Sequence, residues 1–130
     1  MPVIQSLKGD RAFQRLRRGR AGHAKLLSLR WRPLRPPSGA PAGAPVSTAF
    51  VGIVVSKKVG KAVLRNRVRR RLREALRAVL ACAEARANPA QGLRHPAFEL
   101  VIIARPDAAE ADYGQLRSAL EHALRKGQLL

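Results

Sequence analysis

The chain has 130 residues, of which 46% are hydrophobic, so one domain with a modest core is expected and wholesale disorder is not. Lys and Arg number 26 against 8 Asp and Glu, and the resulting net charge of +18 indicates a polyanionic partner. The single cysteine, Cys82, excludes an intrachain disulfide and a multi-cysteine zinc site. No apolar run is long enough for a transmembrane helix and the N-terminus lacks a signal-peptide pattern, which predicts a soluble, cytoplasmic protein. Nucleic acid is therefore the first partner to consider, and an anionic membrane surface is the second.

The positive charge is concentrated in two blocks. Residues 8–35 hold ten basic residues and one acidic residue, and residues 57–73 hold nine basic residues and no acidic one. Residues 105–130 hold four residues of each sign, which cancel. Most of the basic residues are Arg, whose planar guanidinium group suits phosphates and base faces. This distribution favours one binding face over a uniformly charged surface.

The first third of the chain combines two predicted elements with an insertion. Residues 7–18 have the spacing of a short amphipathic helix. Residues 25–31 alternate in hydrophobicity, with Leu27, Leu29 and Trp31 on one side, which predicts a half-buried strand. Residues 33–46 are rich in Pro and Gly, so we expect a loop insertion without a core of its own.

The rest of the chain predicts two strands and two helices. Residues 49–56 are a β-branched run suited to a strand buried on both faces, and residues 98–104 are another. Between them, residues 61–85 repeat apolar side chains at helical spacing, which predicts a long helix. A last amphipathic helix is predicted over Tyr113–Lys126. The order helix, strand, strand, helix, strand, helix predicts one α+β domain over residues 1–130, a two-layer sandwich of helices on a small sheet.

Some chemically notable residues are expected to have structural roles only. Phe50 and Phe98 lie in the predicted buried strands and Cys82 lies on the long helix, so we expect all three in the core. The acidic residues near position 110 are expected to cap the last helix. The histidines have no Cys, His or acidic residue at metal-ligand spacing and are expected on the surface: His23, His95 and His122.

The most informative segment is residues 57–74, KKVGKAVLRNRVRRRLRE, at the start of the long helix. At about 100° per residue, four positions form a polar stripe opposite the apolar one. These residues are Asn66, Arg70, Arg73 and Arg77. The flanking arginines are Arg67 and Arg71, with Arg65 and Arg69 near the sheet-facing edge. Lys57, Lys58 and Lys61 surround Gly60 ahead of the helix, where free N–H groups add an anion site.

The alternative for this segment is an ordinary solvated face. Such faces interleave Glu with Lys, because like charges at i, i+4 destabilise a helix by roughly a few tenths of a kcal/mol per pair. No acid precedes Glu74 here, which favours a rod of guanidinium groups that follows a phosphate backbone of RNA or DNA. Asn66 is a weak helix former within the first turns, which favours a role in binding. The alternative is that Asn66 is an ordinary polar residue that faces solvent.

Residues 57–74 resemble the signature segment of bacterial ribonuclease P protein components, which is built around Arg65-Asn66-Arg67 and the basic residues that follow. The flanking order is also similar: a helix with Phe13-Gln14-Arg15, a strand that enters Ser56-Lys57-Lys58, and a strand that enters residues 103–106. The resemblance covers residues 7–124.

The resemblance implies the protein subunit of a ribonucleoprotein that removes the 5′ leader from precursor tRNA. In this endoribonuclease the RNA subunit hydrolyses the phosphodiester with Mg²⁺, so the protein alone is expected to have no catalytic residues and to hold no metal. The implied partners are the catalytic RNA and precursor tRNA, with one protein copy per ribonucleoprotein and no membrane. The implied fold is of ribosomal-protein type, with a mixed sheet and a left-handed crossover through the basic helix, against the usual right-handed rule.

The resemblance also implies two groups of binding residues. Those expected to contact the catalytic RNA are Lys57, Lys58, Lys61, Arg65, Asn66, Arg67, Arg69, Arg70 and Arg73. A cleft between the sheet and the first helix would hold the single-stranded leader, with Phe13, Arg17 and Trp31 at its family positions. Many relatives have an aromatic residue where Arg17 stands, and a guanidinium group can also lie on a base. For Phe13 and Trp31 the alternative is simple core packing.

Two other classes of protein share some of these features. A structural RNA-binding protein of ribosomal type has similar size, charge and mixed fold, and the compact arginine–asparagine–arginine helix argues against it. A DNA-binding module is the other, but the basic helix has no heptad extension and no helix-turn-helix spacing.

Overall fold

The computed structural model describes residues 3–7, 14–33, 48–86, 97–127 and 129, and these residues form a mixed sheet with helices. The strands are β1 (Val3–Ser6), β2 (Arg20–His23), β3 (Leu27–Pro33), β4 (Thr48–Val55) and β5 (Ala97–Ala104). The helices are α1 (Ala62–Arg86) and α2 (Tyr113–Lys126), and 3₁₀ turns span Lys57–Val59 and Pro106–Ala109.

The five strands pair in the order β1-β4-β5-β3-β2. β4 is parallel to both β1 and β5, whereas β3 is antiparallel to both β5 and β2. Parallel neighbours cannot be joined by a tight turn, so the chain crosses from β4 to β5 through α1. This confirms the α+β class and the mixed sheet, and the left hand of the crossover stays a prediction.

One hydrophobic core lies between the sheet and the two long helices. Alternate residues of β3, β4 and β5 enter it, including Leu29, Val51 and Leu100, and we call this side of the sheet the first face. α1 and α2 cover the first face with apolar stripes that include Leu72 and Leu120, both with no exposed surface. The residues in between point to the opposite side, the second face.

The predicted elements in the second half of the chain match the structure closely. α2 has the predicted bounds, α1 is shifted by one residue at each end, and β5 begins one residue earlier than predicted. Asp112 caps α2 as expected: its Oδ1 accepts from Gln115 N at 2.8 Å, and Gln115 Oε1 accepts from Asp112 N at 3.0 Å.

The N-terminal half holds two strands that the hydrophobic pattern did not reveal. β1 has only four residues, and β2, Arg-Ala-Gly-His, has no β-branched or large apolar side chain. They form because β4 offers a parallel edge and β3 a hairpin partner. Of the predicted first helix, residues 14–16 are helical and 8–13 lie outside the described residues. The predicted loop also lies outside them from residue 34 onward, whereas Pro33 belongs to β3.

Three core predictions are corrected. β4 is not buried on both faces, because its second face carries Val54, which is 41% exposed. Phe50 is half-buried on the same face, whereas Phe98 lies in the core as expected. Cys82 is exposed at the surface of α1, where Arg117 Nη2 approaches its Sγ at 3.5 Å.

Gly22 brings β2 against the end of α2. A Cβ built there would lie 2.0 Å from the carbonyl oxygen of Ala123, which no side chain can tolerate without movement of the backbone. We therefore expect Gly22→Ala to destabilise the fold by about 1–3 kcal/mol through overpacking, measured by denaturant unfolding.

Gly114 is the matched control for this substitution. It lies in the first turn of α2, and a Cβ there would meet only Asp112 Oδ1, at 3.4 Å. Gly114→Ala should leave stability unchanged or raise it by up to about 1 kcal/mol, because Ala has the higher helix propensity. Equal losses for the two variants would contradict the close approach at Gly22.

Candidate nucleic-acid interface

The exposed side of α1 is a stripe of arginines. Asn66, Arg70, Arg73 and Arg77 form its line on the helical wheel, and Arg67 lies beside them. All five of these side chains are exposed. The opposite side of the helix is buried in the core through Val68, Leu72, Ala75, Leu76, Val79 and Leu80. The predicted stripe is therefore on the surface, where it can meet a polyanion.

The other arginines of α1 flank the stripe, and several make contacts within the protein. Arg69 Nη1 donates to Asn66 Oδ1 at 3.2 Å, so Asn66 is a surface residue that orients a neighbouring guanidinium group. Arg71 Nη1 donates to the carbonyl oxygen of Ala111 at 3.0 Å, which ties α1 to the segment before α2. Arg65 has a buried Nε without a hydrogen-bond partner, in line with its predicted place near the sheet-facing edge.

The lysines ahead of α1 lie at one edge of the sheet. Val59 is buried and anchors the 3₁₀ turn, while Lys57 and Lys58 remain exposed. Gly60 has φ 143°, a conformation that other residues rarely adopt, and it turns the chain into α1. The turn that follows β5 lies next to this one and begins with exposed Arg105. Because carboxyl ends of parallel strands share an edge, these cations gather there.

The second face of the sheet carries the helical segment 14–16. Arg15 Nη2 donates to Glu99 Oε1 at 3.0 Å, and Arg30 Nη1 donates to the carbonyl oxygen of Arg17. Leu16, between these two anchors, has no exposed surface and is not part of the main core. Arg17 is exposed at the end of the segment, and Phe13 lies outside the described residues.

Trp31 does not line a cleft between the second face and the segment 14–16. Its predicted role in leader binding is therefore wrong, and the core-packing alternative holds. Its ring points to the first face, has no exposed surface and meets Phe98 edge to face at 6.5 Å. Its Nε1 donates to the carbonyl oxygen of Gly127 at 2.7 Å, and the Arg20 guanidinium lies 5.9 Å from the ring centre. The strand alternation that puts Leu27 and Leu29 in the core puts Trp31 there too.

Among the described residues, Phe50 is the aromatic residue that lies on the second face. It is half-buried, and β4 places it opposite Gln5 on one side and Glu99 on the other. Further along the face, Val54 and Ile103 pair in register, and each is 41% exposed. The strand rise puts them about 13 Å from Phe50, so the face offers an apolar floor of that length. Because side chains alternate along a strand, the core positions of Ala49 and Val51 imply that Phe50 points to the second face, and the sequence alone could have revealed this.

Glu99 lies beside this floor and is buried. Its side chain is 7% exposed, and besides Arg15 it meets Arg32, whose Nε lies 3.2 Å from Glu99 Oε2. Arg32 stands opposite Glu99 in the β3–β5 register. The sequence pattern gave no signal for this group, since it joins residues that are far apart in the chain.

A broad depression of about 1170 Å³ opens near the start of α2 and the β2–β3 turn. Its lining includes Asp107, Glu110 and Asp112, which repel phosphates, and the two histidines His23 and His122. In the described part of the chain no group of three or more His, Cys, Asp or Glu is placed to hold a metal ion. Within the same residues no helix is long and apolar enough to cross a bilayer.

Comparisons with known proteins agree on one family. The family model described as Ribonuclease P matches residues 1–128. The ribonuclease P protein component of Thermus aquaticus is 63% identical over 30 residues, which are 23% of this chain and 18% of that protein. The components from two strains of Thermus thermophilus give the same values. The aligned segment thus spans less than a fifth of these relatives.

Solved structures have the same fold. An RNase P protein mutant from Staphylococcus aureus with defective mRNA degradation activity has a TM-score of 0.67 at 24% identity, over 95% of this chain and 87% of that one. The RNase P protein from Thermotoga maritima has a TM-score of 0.58 at 24% identity, over 89% and 91%. With a family match over almost the whole chain and an arginine-rich helix exposed on this fold, the chain belongs to the ribonuclease P protein component family.

Proposed function

We propose that this protein is the RNA-binding subunit of ribonuclease P and assists the removal of the 5′ leader from precursor tRNA. The observation that carries the proposal is the surface arginine stripe of α1, with no acid before Glu74, on a fold of this family. In the proposed complex the catalytic RNA hydrolyses the phosphodiester and the protein contributes binding.

The arginine stripe suits the phosphate backbone of a structured RNA. From Asn66 to Arg77 the helix rises about 16 Å, so its guanidinium groups can meet several successive phosphates. The first acid in the sequence after Lys57 is Glu74, so the first turns of α1 attract polyanions without local neutralisation. We assign contact with the catalytic RNA to this stripe and to the lysines beside Gly60.

The second face suits a single strand of variable sequence. Phe50, Val54 and Ile103 form an apolar floor, and Arg17 and Arg30 lie at its side. Bases stack on an aromatic ring with little preference for sequence, and each contributes about 1–3 kcal/mol. A leader that differs from one tRNA to the next needs this tolerance. We therefore assign the leader to the second face, with Phe50 in the place first expected of Trp31.

We assign Mg²⁺ to the RNA subunit, where it would supply the charge that hydrolysis of a phosphodiester requires. The role left to the protein is to reduce repulsion between two RNAs and to hold the leader, with one copy acting per complex in the cytoplasm.

Reconstitution is the direct test of this function. We expect cleavage of the 5′ leader at low Mg²⁺ only when the protein is combined with a bacterial ribonuclease P RNA, because the cations replace part of the screening that Mg²⁺ provides. The protein alone should cleave nothing. If the combination were no faster than the RNA alone despite tight RNA binding, a structural RNA-binding protein would be the better conclusion.

The arginine stripe can be tested with Arg70→Ala. We expect weaker binding to the catalytic RNA and a salt dependence reduced by about one phosphate contact, measured as Kd across a salt titration. Arg125→Ala is the control, because Arg125 is also at the surface but pairs with Glu121 at 2.7 Å on α2. Identical binding by Arg70→Ala and the wild type would contradict the assignment of the stripe.

The leader face can be tested with Phe50→Leu. Loss of stacking should weaken binding of precursor tRNA about fivefold or more and leave mature tRNA unaffected, measured with the reconstituted complex. Phe98→Leu is the control, because Phe98 is buried on the first face and should lower the Tm without changing the preference for precursor. Equal losses for precursor and mature tRNA with Phe50→Leu would remove Phe50 from the leader site.

A further inference from the structure

Glu99 is the one charged side chain that is buried among the residues the structure describes. A carboxylate taken out of water is costly unless cations and hydrogen-bond donors replace the lost hydration. Two arginines from different elements provide the positive charge. Arg15, from the segment 14–16, also donates a hydrogen bond to Oε1, whereas Arg32 of β3 lies at ion-pair distance from Oε2 and neither its Nε nor Oε2 has a hydrogen-bond partner. An apolar residue of similar volume at this position could fold equally well, so stability does not account for the group.

The ion pairs leave much of both arginines available. Arg15 uses Nη2 toward Glu99 and its side chain is 51% exposed, while Arg32 uses Nε and is 34% exposed. Each guanidinium group has five N–H donors in a rigid fork, so other donors remain for a ligand. One carboxylate between two guanidinium groups leaves one positive charge in excess. The group is therefore an anion site that is held in place by its own buried acid.

The position of the group on the sheet suggests which anion it meets. Glu99 is opposite Phe50 on one side and Arg32 on the other, so the arginines lie beside the aromatic end of the second face. A nucleotide whose base stacks on Phe50 carries its phosphate within reach of this edge. The arginine stripe of α1 belongs to the helix that packs on the first face, so the group is separate from it.

We propose that Glu99 is a positioning residue that holds Arg15 and Arg32 as a clamp for one backbone phosphate of the 5′ leader. This inference rests on the proposed function, because it names the group that fixes the leader on the second face. Arg15 and Arg32 contact the phosphate, and Glu99 acts through them.

The test uses the reconstituted complex and precursor tRNAs in which one leader phosphate at a time is a neutral methylphosphonate. With the wild type, replacement at one particular linkage should weaken precursor binding about tenfold, and replacement at the others should have little effect. A loss of about tenfold is what removal of one charge-assisted hydrogen bond predicts. With Glu99→Gln, binding of the unmodified precursor should fall by a similar factor and the sensitivity at that linkage should disappear. A merely structural role would not remove sensitivity at one linkage.

Charge alone predicts the opposite result for this variant, because Glu99→Gln makes a protein of net charge +18 more positive. Glu121→Gln is the matched control: it also removes an acid paired with an arginine, but on the outer side of α2. It should bind the precursor as tightly as the wild type or more tightly. Its binding should remain sensitive to methylphosphonate replacement at the same linkage. Arg15→Gln removes the guanidinium group that meets Glu99, and it should abolish sensitivity at that linkage as Glu99→Gln does.

The outcomes separate this inference from the function on which it rests. If the wild type does not prefer precursor over mature tRNA, the proposed function itself fails. If the wild type prefers precursor but no single linkage is sensitive to replacement, only the clamp is overturned. The clamp is likewise overturned if binding by Glu99→Gln and Arg15→Gln remains sensitive at the same linkage as the wild type. Weaker binding to the catalytic RNA with unchanged leader sensitivity would assign the arginines to that RNA and also overturn the clamp.

Discussion

The parallel pairing of β4 with β5 is the constraint on which the rest of the molecule depends. Neighbouring strands that run the same way need a crossover, and α1 is that crossover, so its apolar side must cover the first face and its arginines must face outward. The same pairing brings the turns after both strands to one edge, where Lys57 and Arg105 lie. Backbone hydrogen bonding thus decides where most of the positive charge is presented.

The two faces of the sheet have different roles. Its first face is closed by both helices and holds the core, including Trp31, whose indole N–H is satisfied by the chain after α2. Its second face is covered by the short segment 14–16 and keeps partly exposed apolar residues beside several arginines. A protein of this size has room for one well-packed core only, so the second face can remain open for a ligand.

Elements with strong periodicity were predictable from the sequence, and those that depend on a partner were not. α1 and α2 bury continuous apolar stripes, so their own residues define them, and the arginine stripe followed from the same helical wheel. β2 has no apolar pattern; it forms by pairing with β3, and Gly22 lets it approach α2. Trp31 was misplaced because an aromatic residue in a basic segment suits a core and a cleft equally, and only strand alternation decides between them. Glu99 could not be found at all, because its partners Arg15 and Arg32 are far from it in the sequence.

The central place of β5 also bears on how the chain folds during synthesis. β5 pairs with both β4 and β3, yet it occupies Ala97–Ala104 of 130 residues. Until β5 leaves the ribosome, β3 can pair only with β2, and nothing joins the two halves of the sheet. Pairings this distant in sequence form slowly and leave strand edges open meanwhile. Assembly of the sheet therefore waits until most of the chain has been made, and a long, highly cationic nascent chain is exposed to cellular RNA before it has folded.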